Sequence, residues 1–487
     1  MWFDISDIVD WQGPLTGIQR TTVSLLHELK SAVGLRLYRF NFVKPAFVEV
    51  EWSALPHWLR HAGPAEQGRG GTPPAARRSA DPPPAAGTVG RVGRRRPLER
   101  LEARLPAELR PSFAEFRAGL TAFRRAVKAW IRSRGSARGR RTAAEFAADF
   151  PGSSLNYALN APPPCPFAAG DIVCSFGASW LNPPPVFFLK DLKRSRGFRY
   201  VCLIYDLIPT LHPEWMIADV SAKITSWLRL QLATADLVLT ISEFSKSEIL
   251  RYCDETSFKP AHVGVIRLGD NLSLRSRADL ARTPALPRYV PDRPFVIVVS
   301  VIDVRKNHDC LYRVWKLLAR RLGAACPRLL FIGRPHLHVD TLLHQVAHDR
   351  EINGLIDVLS DIPDGELLWY YRHCLFTLYP SIYEGWGVPV GESLAMGRYC
   401  IASNAASVPE VGGDLVDYFD PYDALACLEL VLRAIRDPAY VARREAEIAA
   451  RYRLTMWSDV ARQVVDNLDA IGRPGGSAAA DGTGGQR

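Results

Sequence analysis

The chain reads as an α/β protein of two doubly wound, Rossmann-like domains facing a cleft. Two observations predict this. Short β-like runs alternate with helix-length segments along most of the sequence, the pattern of parallel sheets covered by helices. A proline-rich break, TPALPRYVPDRP (283–294), divides those runs into two sets and places a hinge near 272–293. The first set holds LRLYRFNF (35–42), DIVCSF (171–176), RYVCLIYD (199–206), ADLVLTIS (235–242) and HVGVIRLG (262–269). The second holds PFVIVVSV (294–301), RLLFIG (328–333), LIDVLS (355–360), CLFTLYPS (374–381) and RYCIASN (398–404). The expected boundaries are 1–280 for the N-terminal domain, 290–471 for the C-terminal one, and 472–487 for a disordered tail.

One segment, about 60–150, breaks the α/β rhythm. Residues 64–97 are rich in Pro, Gly, Ala and Arg and are expected to be disordered, having too little apolar surface to offset ordering entropy. From Leu98 to Ile131 apolar residues recur every three or four positions, with Pro106 and Pro111 as breaks and arginines on the opposite face. Nearly all the positive balance lies here. Residues 66–150 hold 19 Lys and Arg against 8 Asp and Glu, while the rest of the chain is close to neutral in a total of +10. Two readings stay open: the 98–132 stripe lies on an anionic membrane surface, or it packs on the body with its arginines solvated. Nucleic-acid binding is not expected, because the aromatic residues follow the apolar stripe and do not interleave with the charges.

The sequence has no apolar run of 18 residues and no signal-peptide pattern at MWFDISDIVDWQGP. A cytoplasmic protein is expected, peripheral on the inner membrane face if the basic insert binds there. The nine cysteines are scattered without zinc-like spacing, and are expected to be buried free thiols. No metal site is expected.

In open α/β sheets, ligands bind where strands end and helices begin. The most informative such junction is CLFTLYPSIYEGWGVPVGESLAMG (374–397), in which a strand runs into a loop with Gly385, Gly387 and Gly391 and then a helix starting near Pro389. Glycines let backbone N–H groups approach a ligand, and the helix start adds a positive dipole end. Glu384, at the strand end, and Glu392, in the first helical turn, are expected to face the cleft, where carboxylates can accept from sugar or ribose hydroxyls. Two glutamates at this spacing are common, so the flanks must carry the argument.

With its flanks the segment resembles the retaining GT-B glycosyltransferases of family 4. The stretch PSIYEGWGVPVGESLAMG, followed by SNAASVPEVGGDLVDYFDP, matches that family's C-terminal pattern. Similar blocks are VSVIDVRKNHDCL (299–311), FDISDIVDWQGPLTGIQRT (3–21), DIVCSFGASWL (171–181), YDLIPTLHPEW (205–215) and ADLVLTISEFSKSEI (235–249). The opening Gly-Ile-x-Arg and the YDLIP block are most similar to the branch that builds bacterial surface polysaccharides.

The resemblance implies a GT-B fold and transfer of a hexosyl unit, with retention of configuration, from a nucleotide sugar to a lipid-linked or polysaccharide acceptor. Mannose from GDP-mannose is the expected donor, with rhamnose, fucose and glucose also compatible. It implies that Arg305 and Lys306 clamp the diphosphate without a metal. Glu392 would hold the ribose and Glu384 the donor sugar, with backbone N–H groups of Gly385, Trp386 and Gly387 around that sugar. Gly17 would approach the β-phosphate, and Asp206 and His212 would lie on the acceptor side. Arg20 either supports the Gly17 loop or pairs with an acid on its own helix. The chain departs from many relatives in having Tyr205-Asp206 for His-Asp and Thr16-Gly17 for a double glycine.

Two other classes compete. A nicotinamide-dependent oxidoreductase would need G-x-G-x-x-G directly after a strand, which 385–391 does not supply. A catalytically degenerate scaffold binding sugar nucleotide or a partner enzyme is the non-enzymatic alternative, against which the intact Glu384, Glu392, Arg305 and Lys306 stand.

Overall fold

The structure is a computed structural model that describes residues 1–9, 11, 17–41, 45–61, 163–181, 184–257, 262–270, 284–352 and 354–472. The basic insert beyond residue 61, with its 98–132 stripe, and the 473–487 tail lie outside the described residues. The chain divides into two compact units, Met1–Arg39 with Glu49–Gly70 and Phe167–Arg487 in one, Phe40–Val48 with Gly71–Pro166 in the other. Every site residue discussed below belongs to the first.

Strands β1 (Trp2–Asp4), β2 (Arg36–Asn41), β3 (Ala46–Val50), β4 (Ile172–Ser175), β5 (Arg199–Leu203), β6 (Leu237–Thr240) and β7 (Val263–Val265) form a seven-stranded sheet ordered β3-β2-β1-β4-β5-β6-β7. Strands β8 (Phe295–Val299), β9 (Arg328–Ile332), β10 (Ile356–Leu359), β11 (Thr377–Tyr379), β12 (Cys400–Ser403) and β13 (Asp417–Phe419) form a six-stranded sheet ordered β10-β9-β8-β11-β12-β13. Neighbours such as β1 and β4, β8 and β9, and β11 and β12 pair in parallel. Strands β5 and β6 are buried almost throughout, which explains their continuous apolar runs. In each sheet the strand order reverses once, between β1 and β4 and between β8 and β11, giving one switch point per domain. This is the GT-B architecture that the resemblance implies.

All ten expected strands are present in shortened form. The sequence reading passed over β1, β3 and β13. Two of these are only three residues long, and β1 is buried at all three positions, so no alternation marks it.

Helix ends follow local chemistry. Ser242 accepts from Ser245 N at 3.0 Å and caps Glu243–Thr256, whose far end is closed by Ser257 in the left-handed region. The last helix, Trp457–Gly472, packs on the first, Gly17–Ala32. The sequence reading placed it in the C-terminal domain; its apolar side instead completes the core of the N-terminal one. That core, with Phe3, Leu25, Leu203 and Ile241, takes in Val460, Val464 and Leu468 and also Trp386, Val390 and Leu394. Among the described residues no helix is long and apolar enough to cross a membrane. Eight of the nine cysteines are buried, Cys165 is half-buried, and all are free, as expected.

The second sheet has a separate core around Trp315, which is fully buried and donates from Nε1 to the Pro327 carbonyl at 2.9 Å. Trp315→Ala is expected to cost about 3–5 kcal/mol of stability, read as a lower urea midpoint.

Candidate functional site

The loops that leave β8 and β11, the strands flanking the second switch point, meet in one ion cluster. After β8, Asp303 caps the turn Val304–Lys306 by accepting from Lys306 N at 3.1 Å. Asn307 follows with φ of 58° and donates through Nδ2 to the carbonyls of Pro380 (3.1 Å) and Pro421 (2.8 Å). The β8 loop is thereby tied to the β11 loop, and Arg305 and Lys306 are aimed at Glu384. Arg305 NH1 lies 2.6 Å from Glu384 Oε2, and Lys306 Nζ lies 2.5 Å from Oε1. Tyr379 OH also donates to Glu384 Oε1, at 2.8 Å.

Glu384 and Lys306 are buried. Burial alone would raise the Glu384 pKa, but Arg305 and Lys306 outweigh it and hold the carboxyl at about 2. For Lys306, burial and the Arg305 charge work against the ammonium, with Glu384 opposing them. Glu384 lies beyond the strand, five residues after β11 ends, and is engaged by cations rather than open to the cleft as the sequence suggested.

The glycine loop is fixed by Ser407, whose single hydroxyl proton is shared between the carbonyls of Glu384 (2.9 Å) and Trp386 (2.8 Å). Gly385 presses against the N-terminal domain: a Cβ there would stand 2.9 Å from the Tyr205 carbonyl oxygen and 3.0 Å from Asp206 Cβ. Gly387, with φ of 131°, turns the chain into the helix Val388–Ala395 in a conformation that favours glycine. The Trp386 side chain is buried in the core that the loop shares with the N-terminal domain, and its Nε1 has no hydrogen-bond partner among the described residues.

Glu392 is the fifth residue of that helix, not part of its first turn, and is buried. It accepts from Tyr371 OH at 2.8 Å. Burial raises its pKa to about 7, with Tyr371 and Arg20 pulling the other way. Gly17 is exposed at the start of its helix, where a Cβ would meet nothing within 4 Å among the described residues. Arg20, one turn on, pairs at 2.9 Å with Asp364 of the C-terminal domain, not with an acid on its own helix.

Asp206 borders the same cluster. Its carboxyl is pushed above the ordinary range by burial, Arg305 opposes that shift, and Glu384 adds to it. Its Oδ1 accepts from Ile208 N at 3.0 Å. Tyr205 donates to the Phe176 carbonyl at 2.9 Å and is buried, which makes it a tether. His212 is half-buried; its Nδ1 lies 3.1 Å from Glu214, and its ring stacks on Trp215.

The structure thus brings Arg305, Lys306, Glu384, Gly385 and Asp206 together, with Glu392 and Arg20 beside a second acidic group, Asp364. Sequence reasoning missed Tyr379, Tyr371, Ser407 and the double donor Asn307. Asn307 was visible in the Arg-Lys-Asn run, whereas the two tyrosines sit in ordinary apolar stretches. Among the described residues no cluster of His, Cys, Asp or Glu is arranged to hold a metal ion.

Residues 287–452 match the family of glycosyl transferases group 1. The chain is 26% identical over 283 residues to the O-antigen chain mannosyltransferase B of Escherichia coli, covering 58% of this chain and 72% of that one. It is 23% identical over 275 residues to the serotype-specific mannosyltransferase WbdA of Escherichia coli, covering 56% of this chain and 34% of that protein, about a third of its length. Among solved structures, sucrose-phosphate synthase from Thermosynechococcus elongatus aligns with a TM-score of 0.44 at 19% identity, over 69% of this chain and 80% of that one.

The two glutamates couple to pH with opposite signs. The pKa of Glu384 is lowered on folding, so its stabilisation is present above the unfolded value and is lost as pH falls towards 2. That of Glu392 is raised, so its contribution is present in acid and is lost as pH rises through about 7. Urea unfolding at pH 7 is expected to show Glu384→Gln destabilised by about 3 kcal/mol, because buried Lys306 and half-buried Arg305 lose their counter-ion. Glu392→Gln is expected to gain on wild type between pH 5 and pH 8, by about 3 kcal/mol.

Proposed function

We propose that the chain, whose residues 287–452 match glycosyl transferases group 1, is a glycosyltransferase that moves mannose from GDP-mannose to a growing surface polysaccharide or its lipid-linked precursor, with retention of configuration. The observation that carries this reading is the pair of cations, Arg305 and Lys306, in the loop after β8 at the second switch point, held by Glu384 of the loop after β11. Loss of a nucleoside diphosphate builds negative charge on the β-phosphate, and fixed cations at that place stabilise it with little reorganisation. The mannosyltransferase names of the relatives favour mannose over the other sugars compatible with the site.

In this reading Arg305 and Lys306 hold the diphosphate and Glu392 accepts from the ribose hydroxyls. Glu384 sets the position of both cations, with backbone N–H groups of 385–387 around the sugar. Gly17, at its helix N-terminus, approaches the β-phosphate. The bond from the anomeric carbon to the β-phosphate oxygen breaks while the acceptor oxygen bonds to the same face. The acceptor's proton passes to the departing phosphate oxygen, so the protein contributes positioning and electrostatics. Asp206 and His212 lie on the acceptor side, and no metal takes part.

Transfer of labelled mannose from GDP-mannose to membrane-bound glycan tests this. Lys306→Ala and Glu392→Ala are expected to lower turnover by at least about 100-fold while keeping a cooperative unfolding transition, and chelation of divalent ions is expected to change nothing. Unchanged turnover in either variant would remove the donor assignment. Because Glu392 must be ionised to accept two hydroxyl donors, donor affinity is expected to rise about tenfold from pH 6 to pH 8 in wild type, as measured by calorimetry. In Glu392→Gln it stays flat.

A further inference from the structure

The segment after Asp206 carries side chains that donor chemistry does not use. A short turn, Ile208–Leu211, leads through Pro213–Trp215 to Ile217, which is 53% exposed. The His212 ring lies flat on Trp215, with centroids 4.1 Å apart and planes 15° apart. Tyr383, from the C-terminal domain, meets His212 edge-on at 4.9 Å and Trp215 at 6.4 Å.

Tyr383 is itself held from three sides. Its hydroxyl donates to Glu248 at 3.0 Å, its carbonyl accepts from Arg305 at 2.7 Å, and its ring meets Phe244 at 5.4 Å. The aromatic cluster therefore begins one residue before Glu384 and ends on the segment that Asp206 opens. Unlike Trp2 and Trp315, which the cores cover fully, this cluster is not enclosed. His212, Trp215 and Tyr383 all remain half-buried.

A rigid aromatic face beside polar groups suits a pyranose ring. The electron-rich face attracts the polarised C–H groups of one side of the sugar, and its hydroxyls turn outward to polar neighbours. We propose that His212, Trp215 and Tyr383 form an acceptor subsite that stacks a pyranose ring of the glycan and brings its free hydroxyl to the Glu384–Asp206 side of the donor. This rests on the glycosyltransferase reading above, and it commits to the sugar of the acceptor rather than to a lipid tail or diphosphate carrier.

Calorimetric titration of the full chain with an α-linked mannotriose tests it. Trp215→Ala is expected to weaken binding at least about tenfold, while Trp215→Phe, which keeps a flat ring, stays within about threefold of wild type. Thermal stabilisation by GDP-mannose is expected to be the same in all three proteins. Equal mannotriose affinity in Trp215→Ala, or no saturable binding to wild type, overturns the subsite. Failure of the donor reading shows separately, as no stabilisation of wild type by GDP-mannose. Should Trp215→Ala lose its cooperative unfolding transition, His212→Ala, which removes the stacked partner alone, is expected to show the same loss of mannotriose binding, and wild-type affinity there overturns the proposal.

Discussion

A carboxylate buried between two cations organises the region where the domains meet. Leaving buried Lys306 and half-buried Arg305 without Glu384 costs several kcal/mol, so the β8 and β11 loops are held as one piece. Asn307 and Ser407 add neutral hydrogen bonds to the same assembly. In the proposed function this rigidity matters, because cations that are already in place need not reorganise as phosphate charge develops.

The N-terminal domain is built onto this piece. Gly385 touches Tyr205 and Asp206, and the Ser245 hydroxyl donates to the Tyr205 carbonyl at 3.3 Å and to the Gly385 carbonyl at 3.5 Å. Glu410 accepts from the N–H groups of Glu243 and Phe244 at 2.8 and 2.7 Å, so a C-terminal-domain carboxylate caps an N-terminal-domain helix. The Arg20–Asp364 pair spans the domains on the Gly17 side. These contacts bring the loops at the second switch point onto the N-terminal domain, where an acceptor and a donor have to meet.

Much of this was legible in the sequence. Alternation of apolar runs and helical segments gave ten strands because buried parallel strands need continuous apolar residues. The run EGWGVPVGE and the Arg-Lys-Asn triplet marked the two loops that do meet. Strand order was not legible, since it depends on which edges pair, and so the switch point between β8 and β11 emerged only in three dimensions. The state of the carboxylates was hidden for the same reason: Glu384 and Glu392 look equivalent as letters, yet one is anionic between cations and the other is near neutrality beside Tyr371. The return of Trp457–Gly472 to the first domain also leaves no local mark, because its apolar stripe would suit either core.

The most direct test of the account is a crystal structure of the chain with GDP-mannose bound. The account predicts diphosphate oxygens at about 3 Å from both Arg305 and Lys306 and ribose hydroxyls on Glu392. A nucleotide bound elsewhere, with the two cations still satisfied by Glu384 alone, would contradict it.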